Sequence, residues 1–532
     1  MGSISLLDCT LRDGGYLNDW LFGNNNIVSI YERLVASKVE FIEVGFIDQA
    51  REYDSDRSIY PDVKSINKTM GNIEKGDTLM VGMIDYGHCD IDKVCDKSES
   101  CLDAIRVIFK KGIRKDAMEY VAAIKAKGYK VFAQLVSITS YSDEELLDLI
   151  NIANEVKPYA VSMVDTYGLC HSDTLMHYCE ILDKNLDPEI SLGYHAHNNF
   201  QLGYANCIEM LSYKTDRDVL VDGTIFGMGK SAGNCPLELV AMYLNGRKGK
   251  NYDLDQILEA ADANVMNFFH VSPWGYSLFF YIAASNDCHP NYVSYLMDKR
   301  TLSIKQINEI LKKLEGEKKL LYDEKLIESL YSDFQEISVN DTAALAALKE
   351  ELEGKKILVI GPGTSVKTQS DKVQDFIMNN NPIVISINFI PDTIKPEFCF
   401  VTNTKRYVQL SSSLVKNAET FKVIATSNVT AASGKFDYTI RYSNLLDFNA
   451  QIIDNSFIML LKLLKKLGVK NVSCAGFDGY AVDNKPNYFN PDMEYQFTSF
   501  EADNLNKYVI EQLSKLSDGL DIKFVTDSHY DV

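Results

Sequence analysis

The chain has 532 residues, a formal net charge of −20 and 46% hydrophobic residues. It is too long for one ordinary domain and apolar enough for large cores. The negative charge argues against non-specific binding to nucleic acid and to anionic membrane surfaces, although an anionic small substrate stays compatible with it. The sequence has no apolar run of transmembrane length and no basic region before its first strand, so we expect no secretory signal and a cytoplasmic location. Eleven cysteines without paired spacing fit reduced thiols.

Short β-branched runs alternate with amphipathic helical stretches over the first 245 residues. In chain order, the candidate strands are Ile4–Asp8, Glu40–Gly45, Leu79–Ile84, Ile105–Phe109, Lys130–Val136, Ala160–Val164, Ser191–His195 and Leu220–Thr224. Eight strand–helix units predict a (β/α)8 TIM barrel, which we assign to residues 1–250.

Charged and imidazole side chains follow two of these strands. The first strand runs into Cys9-Thr10-Leu11-Arg12-Asp13-Gly14, and the seventh into Tyr194-His195-Ala196-His197-Asn198. The two-residue period of a strand points His195 and His197 to the same side. Two imidazoles and one carboxylate supply three metal ligands and leave positions open for substrate and water. Barrel active sites lie at the carboxyl ends of the strands, where these residues fall.

Four motifs occur in an order that resembles a known superfamily. They are Thr10-Leu11-Arg12-Asp13-Gly14, Glu43-Val44-Gly45-Phe46, His195-Ala196-His197-Asn198 and Gly227-Met228-Gly229-Lys230-Ser231-Ala232-Gly233-Asn234. Together they resemble the metal-dependent lyases and synthases that include 4-hydroxy-2-oxovalerate aldolase, 3-hydroxy-3-methylglutaryl-CoA lyase and isopropylmalate synthase. Because Pro236-Leu237-Glu238 follows the glycine motif, the chain is most similar to the pyruvate aldolase branch. The resemblance covers roughly residues 1–295.

The resemblance implies roles for several residues. Asp13, His195 and His197 are the expected metal ligands, and Arg12 is the expected enolate stabiliser. Asn234 matches an asparagine at or near the metal, with an N-cap of the helix near Pro236 as the alternative. Glu43 is expected behind the site, where it orients Arg12 or a water, with an ion pair at the barrel edge as the alternative. Asp165, at the end of the sixth strand, is expected either to hold substrate or to cap a turn.

The implied activity is that of a divalent-metal-dependent aldolase or lyase. It makes or cleaves a carbon–carbon bond through a metal-stabilised enolate of pyruvate or another 2-oxo acid, with an aldehyde or ketone as the second partner. Oxygen and imidazole ligands favour Mn²⁺, with Mg²⁺, Co²⁺ and Zn²⁺ as alternatives. The alternative activities are a Claisen-type acyl-CoA synthase and a bifunctional aldolase and nucleotide-sugar enzyme of polysaccharide biosynthesis. We also expect a homo-oligomer.

Two tyrosines carry expectations about the proton route. Three residues after Asp13, where 4-hydroxy-2-oxovalerate aldolases have a histidine, this chain has Tyr16. Its phenol would donate a hydrogen bond, or act as a base if the metal and Arg12 depress its pKa. Tyr276 matches an aldolase tyrosine that reaches the active site, with helix packing as the alternative.

A helical extension and linker is expected over residues 251–352, and a doubly wound, Rossmann-like α/β domain over 353–532. The strand Lys356–Ile360 is followed by Gly361-Pro362-Gly363-Thr364-Ser365 and a helix, which is a geometry that can receive a phosphate. The loop lacks the complete spacing of a dinucleotide or P-loop motif, so a plain tight turn is the alternative. We list Gly361, Gly363, Ser365, Asn388 and Asn403 as candidate contacts to a nucleotide or nucleotide-sugar. The set resembles the nucleotide-binding half of some sialyltransferase-like and pterin-diphosphokinase-like proteins.

Overall fold

Two units make up the chain. The computed structural model describes residues 2–299, 302–319, 322–335, 339–416, 420–429, 436–447, 454–481, 487–488 and 499–530. The first unit is Met1–Pro290 and the second is Asn291–Val532. The helical segment expected over residues 251–352 is therefore divided between the two units.

A closed parallel barrel forms the first unit. Strand β1 pairs with β9 on one side and with β2 on the other, and the short β3 pairs only with β2. The strands are β1 (Ile4–Asp8), β2 (Phe41–Ile47), β3 (Ile59–Tyr60), β4 (Leu79–Asp85), β5 (Ala104–Phe109), β6 (Lys130–Leu135), β7 (Ala160–Asp165), β8 (Ser191–Ala196) and β9 (Val219–Gly223). Each of the eight expected barrel strands is present, and its ends lie within a residue or two of the expected ones.

Helices follow the strands around the barrel. In the first unit they are α1 (Thr10–Asp13), α2 (Asn24–Ala36), α3 (Ile66–Met70), α4 (Arg114–Ala126), α5 (Asp143–Val156), α6 (Ser172–Asn185), α7 (Gly203–Ser212), α8 (Leu237–Lys248), α9 (Leu254–Ala260), α10 (Met266–Val271) and α11 (Leu278–Ser285). Local signals explain their ends: Ser142 and Glu145 form a capping box at the start of α5, and Gly249 in the left-handed region ends α8.

The interior of the barrel is layered. An apolar cluster includes Phe41, Ala104, Phe132 and Leu220. Two residues further along the same strands, the side chains are polar and buried: Glu43, Arg106, Gln134 and Asp222. Because the strand period is two, each polar residue lies on the same face as its apolar predecessor and nearer the carboxyl end of the strand. The sequence thus creates a buried polar layer directly next to the end of the barrel where active sites form.

A seven-stranded parallel sheet forms the second unit, after helices α12 (Pro290–Asp298), α13 (Ile304–Leu311), α14 (Glu324–Gln335) and α15 (Thr342–Leu352). Its order is β14-β13-β12-β11-β10-β15-β16. The strands are β10 (Ile357–Ile360), β11 (Ile383–Ile387), β12 (Phe398–Val401), β13 (Lys422–Thr426), β14 (Tyr438–Ile440), β15 (Asn471–Ala475) and β16 (Asp521–Phe524). The helices among them are α16 (Ser365–Thr368), α17 (Ser370–Asn380), α18 (Thr404–Lys416), α19 (Ser456–Lys466) and α20 (Ser499–Leu516).

Both faces of this sheet are buried. Ile357 and Val359 of β10 belong to one apolar cluster, and Leu358 and Ile360 belong to another. The expected mixed architecture, a barrel followed by a second parallel α/β sheet, is confirmed. The edge strand β16 has a weak sequence pattern, because only Ile522 and Phe524 are apolar in its four residues. Within the described residues, the structure contains no helix that is both long and apolar enough to cross a membrane.

Candidate metal centre

Asp13, His195 and His197 meet at the carboxyl ends of the barrel strands. Nε2 of His195 lies 3.6 Å from Oδ2 of Asp13, and Nε2 of His197 lies 3.8 Å from Oδ1 of the same carboxylate. Asp13 is in α1, the single helical turn that follows β1, whereas His195 is the penultimate residue of β8 and His197 follows that strand. All three side chains are at most 4% exposed. One carboxylate and two imidazoles therefore converge within the reach of a single cation.

Each imidazole is oriented by a hydrogen bond on its far side. Nδ1 of His195 lies 2.9 Å from Oδ2 of Asp222, and Nδ1 of His197 lies 3.1 Å from the carbonyl oxygen of Asp165. Because both partners are acceptors, each Nδ1 carries the proton. The Nε2 lone pairs of both rings are consequently directed to the side where Asp13 lies, which is the arrangement found for metal-ligating histidines.

The buried side-chain atoms without a hydrogen-bond partner in the described residues include Nε2 of His197 and Oδ1 of Asn234. Leaving a buried polar atom unsatisfied costs roughly 1–3 kcal/mol. Both atoms belong to residues around Asp13, and both are suitable donors to a hard or borderline cation. The residues present therefore fit a divalent metal ion.

Electrostatics sets the protonation of the three groups. Burial alone would raise the pKa of Asp13, but Arg12 and the two imidazoles hold it well below its usual range. Burial lowers the pKa of His197. For His195 burial acts in the same direction, yet hydrogen bonds to Asp13 and Asp222 outweigh it and raise the pKa. Asp13 is thus ionised and His197 neutral at neutral pH, as metal ligands must be.

Arg12 is fixed by two carboxylates. Its Nε donates to Oε2 of Glu43 at 2.7 Å, its Nη1 donates to Asp13, and its guanidinium lies 5.6 Å from the ring centroid of Phe46. Glu43 is fully buried, so it is not an ion pair at the barrel edge. Within the described residues, Nη2 of Arg12 forms no hydrogen bond. A rigid cation with one unused donor beside the carboxylate of Asp13 can stabilise an oxyanion.

Arg106, Asp222 and Gln134 complete this network, and sequence reasoning missed all three. The guanidinium of Arg106 bonds Gln134 at 2.8 Å, lies 3.4 Å from Glu43 and donates to the carboxylate of Asp222 at 2.5 Å. Each of these residues is a polar residue whose two neighbours in the strand are nonpolar. That departure is the signal that could have identified them, because an uncompensated charge is rarely placed in a barrel interior.

The charges of this network do not balance by themselves. Asp13, Glu43 and Asp222 carry three negative charges against the two positive charges of Arg12 and Arg106. When both imidazoles are neutral, as metal ligands are, one negative charge is in excess in a region shielded from water. A divalent cation would convert this excess into a net positive charge, suited to an anionic substrate.

Asn234 bonds Asp13 rather than a helix end. Its Nδ2 donates to Oδ1 of Asp13 at 3.0 Å, and α8 is preceded by Pro236 without a side-chain cap. The N-cap alternative is therefore wrong. A Cβ atom at Gly229 would lie 2.0 Å from Nδ2 of Asn234 and 2.6 Å from Oδ1 of Asp13, so only glycine lets this loop approach the centre so closely.

Asp165 is a turn-forming residue. Its carboxylate accepts hydrogen bonds from the backbone N–H groups of Leu169 at 2.8 Å and Cys170 at 3.1 Å. Of the two alternatives for Asp165, the turn cap is therefore the one observed. The carbonyl oxygen of Asp165 also orients His197.

A second group of possible ligands, Cys9, His195 and Asp222, overlaps the first. Burial raises the pKa of the Cys9 thiol well above its usual value. Oδ2 of Asp222 is already bonded to both Arg106 and His195. A protonated thiol and an occupied carboxylate are poor ligands, so the group containing Asp13 is the better candidate.

Tyr16 lies in an aromatic group beside the centre. Its ring centroid is 5.0 Å from that of Trp20 and 5.9 Å from that of Phe46. Although 42% of the residue surface is exposed, desolvation around the hydroxyl group raises its pKa. The phenol is therefore a hydrogen-bond donor at neutral pH, and the alternative of a base whose pKa a bound metal depresses stays an expectation.

Tyr276 is 54% exposed and forms no hydrogen bond or ring contact with the centre in the part of the chain that the structure describes. Its neighbour Trp274 instead contacts the glycine loop. Nε1 of Trp274 donates to the carbonyl oxygen of Phe226 at 2.9 Å, and a Cβ atom at Gly233 would lie 3.0 Å from its indole.

The glycine loop of the second unit lies between β10 and β15, where the strand order reverses. The N–H of Gly363 bonds the carbonyl oxygen of Gly476, and Asp478 accepts hydrogen bonds from the N–H of Ser365 and the hydroxyl of Thr364, both at 2.8 Å. A Cβ atom at Gly363 would lie 2.6 Å from Asp478. The helix N-terminus that would receive a phosphate is thus already bonded to a carboxylate.

Two of the other candidate contacts are nearby on the next strands. Asn388, in the left-handed region with φ of 57°, accepts hydrogen bonds from the N–H groups of Thr402 and Asn403. Its Nδ2 donates to Ser456 at 2.9 Å. Both asparagines lie at the carboxyl edge of the sheet, where ligands of such folds bind. The side chain of Asn388, however, is already bonded to Thr402, Asn403 and Ser456.

The fold and this centre define the class: a (β/α)8 barrel with a candidate metal site at the carboxyl ends of its strands. Residues 3–263 match the model of the HMGL-like family, and this part of the chain belongs to that family. The chain is 27% identical over 289 residues to oxaloacetate decarboxylase of Mycobacterium tuberculosis, a match that covers 52% of this chain and 82% of the relative.

Other relatives carry different activities. The chain is 24% identical over 275 residues to 4-hydroxy-2-oxovalerate aldolase of Chloroflexus aurantiacus, covering 51% of this chain and 77% of the relative. It is 23% identical to 2-isopropylmalate synthase of Staphylococcus carnosus, a match that covers 49% of this chain and 53% of that relative. HMG-CoA lyase of Bacillus subtilis is a solved structure with 15% identity and a TM-score of 0.41, covering 50% of this chain and 93% of that one. The relatives that match in sequence are thus a decarboxylase, an aldolase and a synthase.

Proposed function

We propose that the first unit is a divalent-metal-dependent carbon–carbon lyase of the aldolase type, acting through the enolate of pyruvate or another 2-oxo acid. The observation that carries this proposal is the orphaned Nε2 of His197, directed at the ionised carboxylate of Asp13 beside the unused donor of Arg12. Asp13, His195 and His197 would hold the metal, with Oδ1 of Asn234 as a further donor. The bound cation would polarise the 2-oxo group; Mn²⁺ is our first choice among the divalent ions.

Side chains and backbone groups of the protein would stabilise the enolate, orient the imidazoles and bind the second substrate. Glu43 holds Arg12 so that Nη2 can donate to the oxygen on which negative charge develops. Asp222 and the carbonyl of Asp165 keep the two imidazoles in one tautomer and orientation. Tyr16, protonated because its pKa is raised, donates a hydrogen bond to the oxygen of the aldehyde or ketone. The role expected for Tyr276 remains an expectation, since its exposed side chain has no contact with these groups.

Exchange of the methyl protons of pyruvate in D₂O tests the proposal without knowledge of the second substrate. An enzyme that forms the enolate will exchange these protons in the presence of Mn²⁺ and stop when a chelator removes the metal. Oxaloacetate decarboxylation and aldol cleavage both produce this enolate, so the assay covers both. No exchange with pyruvate or other small 2-oxo acids, with metal bound, would refute the proposal.

A Claisen-type synthase is the second candidate, and the similarity to 2-isopropylmalate synthase supports it. Such an enzyme would exchange the methyl protons of acetyl-CoA rather than those of pyruvate. The same assay with acetyl-CoA therefore separates the two candidates.

For the second unit, a nucleotide or nucleotide-sugar at the edge formed by β10 and β15 is a proposal that rests on the reversal of strand order there. The bond between Asp478 and the N–H of Ser365 argues against a phosphate at that position. Calorimetric titration with CMP, UDP and their sugar derivatives tests it. Binding that is unchanged in Asn403→Ala would place the ligand elsewhere.

A further inference from the structure

Lys230 is held next to the metal centre by its backbone. Its N–H donates to Oδ1 of Asp13 at 2.9 Å, in the loop that Gly229 allows to approach Asn234. The next residue, Ser231, has φ of 61°, which fixes the direction of the chain at this point. The position of Lys230 is therefore coupled to that of Asp13 and is not a feature of a freely moving surface loop.

The ammonium group of Lys230 has no counter-ion. In the described part of the chain, Nζ forms neither a hydrogen bond nor an ion pair, and its contact is with the ring of Tyr16, 5.1 Å from the centroid. Other partly buried lysines of the barrel have carboxylate partners: Lys75 bonds Asp103 at 2.6 Å, Lys111 bonds Glu145 at 2.9 Å and Lys250 bonds Glu40 at 2.7 Å. A partly buried cation without a partner is costly, and in a site such a group is available to a ligand.

Two cations flank one aromatic group. Arg12 lies against Phe46 at 5.6 Å and Lys230 against Tyr16, while Trp20 packs on both rings. A further cation, Lys110, is within electrostatic range of Lys230, as are the carboxylates of Asp13 and Asp85. None of the carboxylates is within ion-pair distance of Nζ. A chain with a net charge of −20 thus has local positive charge on both sides of Tyr16.

We propose that Lys230 binds a second anionic group of the substrate, a carboxylate or a phosphate on the part of the molecule that becomes the aldehyde or ketone. Arg12 and the metal centre take the 2-oxo acid end, and Tyr16 lies between the two ends. The substrate class is accordingly a 2-oxo acid with a second negative charge, not one that ends in a methyl group. This inference rests on the proposed lyase function.

Two substrates that differ only at the distal end test the inference: 4-hydroxy-2-oxopentanoate, with a terminal methyl group, and 4-hydroxy-2-oxopentanedioate, with a terminal carboxylate. We expect the wild-type enzyme to have a kcat/KM at least 10-fold higher for the diacid. Lys230→Met should lower the ratio of the two kcat/KM values by roughly 10- to 100-fold, the loss of one charge-assisted hydrogen bond. Lys230→Arg should retain most of the preference. Lys111→Met, which removes a paired lysine of the same barrel, is the matched control.

The outcomes separate the two levels of the proposal. If the wild-type enzyme does not exchange pyruvate protons, the lyase function itself fails. If exchange occurs but the wild type does not prefer the diacid, or if Lys230→Met lowers both kcat/KM values equally, the inference about Lys230 is wrong and the residue only offsets Asp13 or Asp85. A phosphate-ended analogue that is preferred over the diacid, with the same dependence on Lys230, would identify the anion as phosphate. Metal content and tryptophan fluorescence of each variant, measured separately, show that it is folded.

Discussion

Asp222 accepts a hydrogen bond from Nδ1 of His195 at 2.9 Å, and the same carboxylate oxygen accepts a hydrogen bond from Arg106. A residue in β9 thereby fixes the tautomer of a candidate ligand in β8, and a cation from β5 keeps that residue ionised. The candidate metal centre is thus one end of a buried network of hydrogen bonds that extends across the barrel.

Removal of the ligands should remove the metal. We expect His197→Ala and Asp13→Ala to weaken Mn²⁺ binding by more than roughly 100-fold, and Asp222→Asn by roughly 10- to 100-fold through loss of the orientation of His195. Calorimetric titration of the metal-free variants with Mn²⁺ measures these affinities. His177→Ala is the control, since His177 is an exposed residue paired with Asp143. Unchanged affinity in the Asp13 and His197 variants would exclude this site.

Arg12→Lys should reduce kcat by roughly 100-fold or more while the metal content stays the same. The ammonium of lysine cannot bond Glu43 and Asp13 and also keep a third donor in a fixed direction. Metal analysis and turnover of the same sample check this. Arg114→Lys changes an exposed pair with Asp148 and should have no effect on turnover. Near-normal kcat in Arg12→Lys would mean that the arginine is only structural.

Tyr16→Phe should retain exchange of pyruvate methyl protons and slow carbon–carbon cleavage by roughly 10-fold or more. The reason is that the phenol is expected to bond the oxygen of the second substrate and not the enolate carbon. Comparing the two rates in one preparation provides the test. A variant that loses both rates equally would show that the hydroxyl acts earlier, on the enolate itself.

Arg106→Met should destabilise the first unit by roughly 3–5 kcal/mol, because Glu43 and Asp222 would keep buried charges without their shared partner. Both tryptophans, Trp20 and Trp274, lie in this unit, so fluorescence-detected urea unfolding reports on the barrel alone. Arg114→Met, at an exposed ion pair, should cost less than about 1 kcal/mol. Equal effects of the two substitutions would contradict the central role of Arg106.

Asp8 should make the barrel less stable as the pH rises. Burial raises its pKa from 3.8 to about 7, against hydrogen bonds from Thr10 that lower it. Between these two values the folded state binds a proton that the unfolded state has released, so its contribution to the free energy of unfolding decreases with increasing pH. From pH 5 to pH 8 this loss amounts to roughly 2–3 kcal/mol. Asp8→Asn lacks the titrating group.

The comparison for Asp8 is the difference in the free energy of unfolding between Asp8→Asn and the wild type at pH 5, 6.5 and 8, again by tryptophan fluorescence. We expect the free energy of unfolding of Asp8→Asn to increase relative to that of the wild type as the pH increases. A difference that is constant across this range would mean that Asp8 titrates near its ordinary pKa in the folded protein.

The sequence predicted the barrel well for a local reason. Each strand of a (β/α)8 barrel is a short apolar run with its own helix and turn signals, so the ends of the eight expected strands differ little from those observed. The period of two likewise brought His195 and His197 to one side, and the turn after β1 brought Arg12 and Asp13 to the strand end. A weak local pattern predicts less: β16 has only two apolar residues, which do not by themselves indicate a strand.

What the sequence by itself determined is therefore the architecture and the residues with a local motif: Arg12, Asp13, His195 and His197. Only the tertiary structure decided which residues support them. Arg106, Asp222 and Gln134 come from separate strands, and their contacts depend on the closure of the barrel between β1 and β2. The same holds for the bond of Asn234 to Asp13, for the exposed position of Tyr276 and for the unpaired ammonium of Lys230. Hydrogen bonds and charges act over a few ångströms in space, whereas sequence patterns report only on neighbours along the chain.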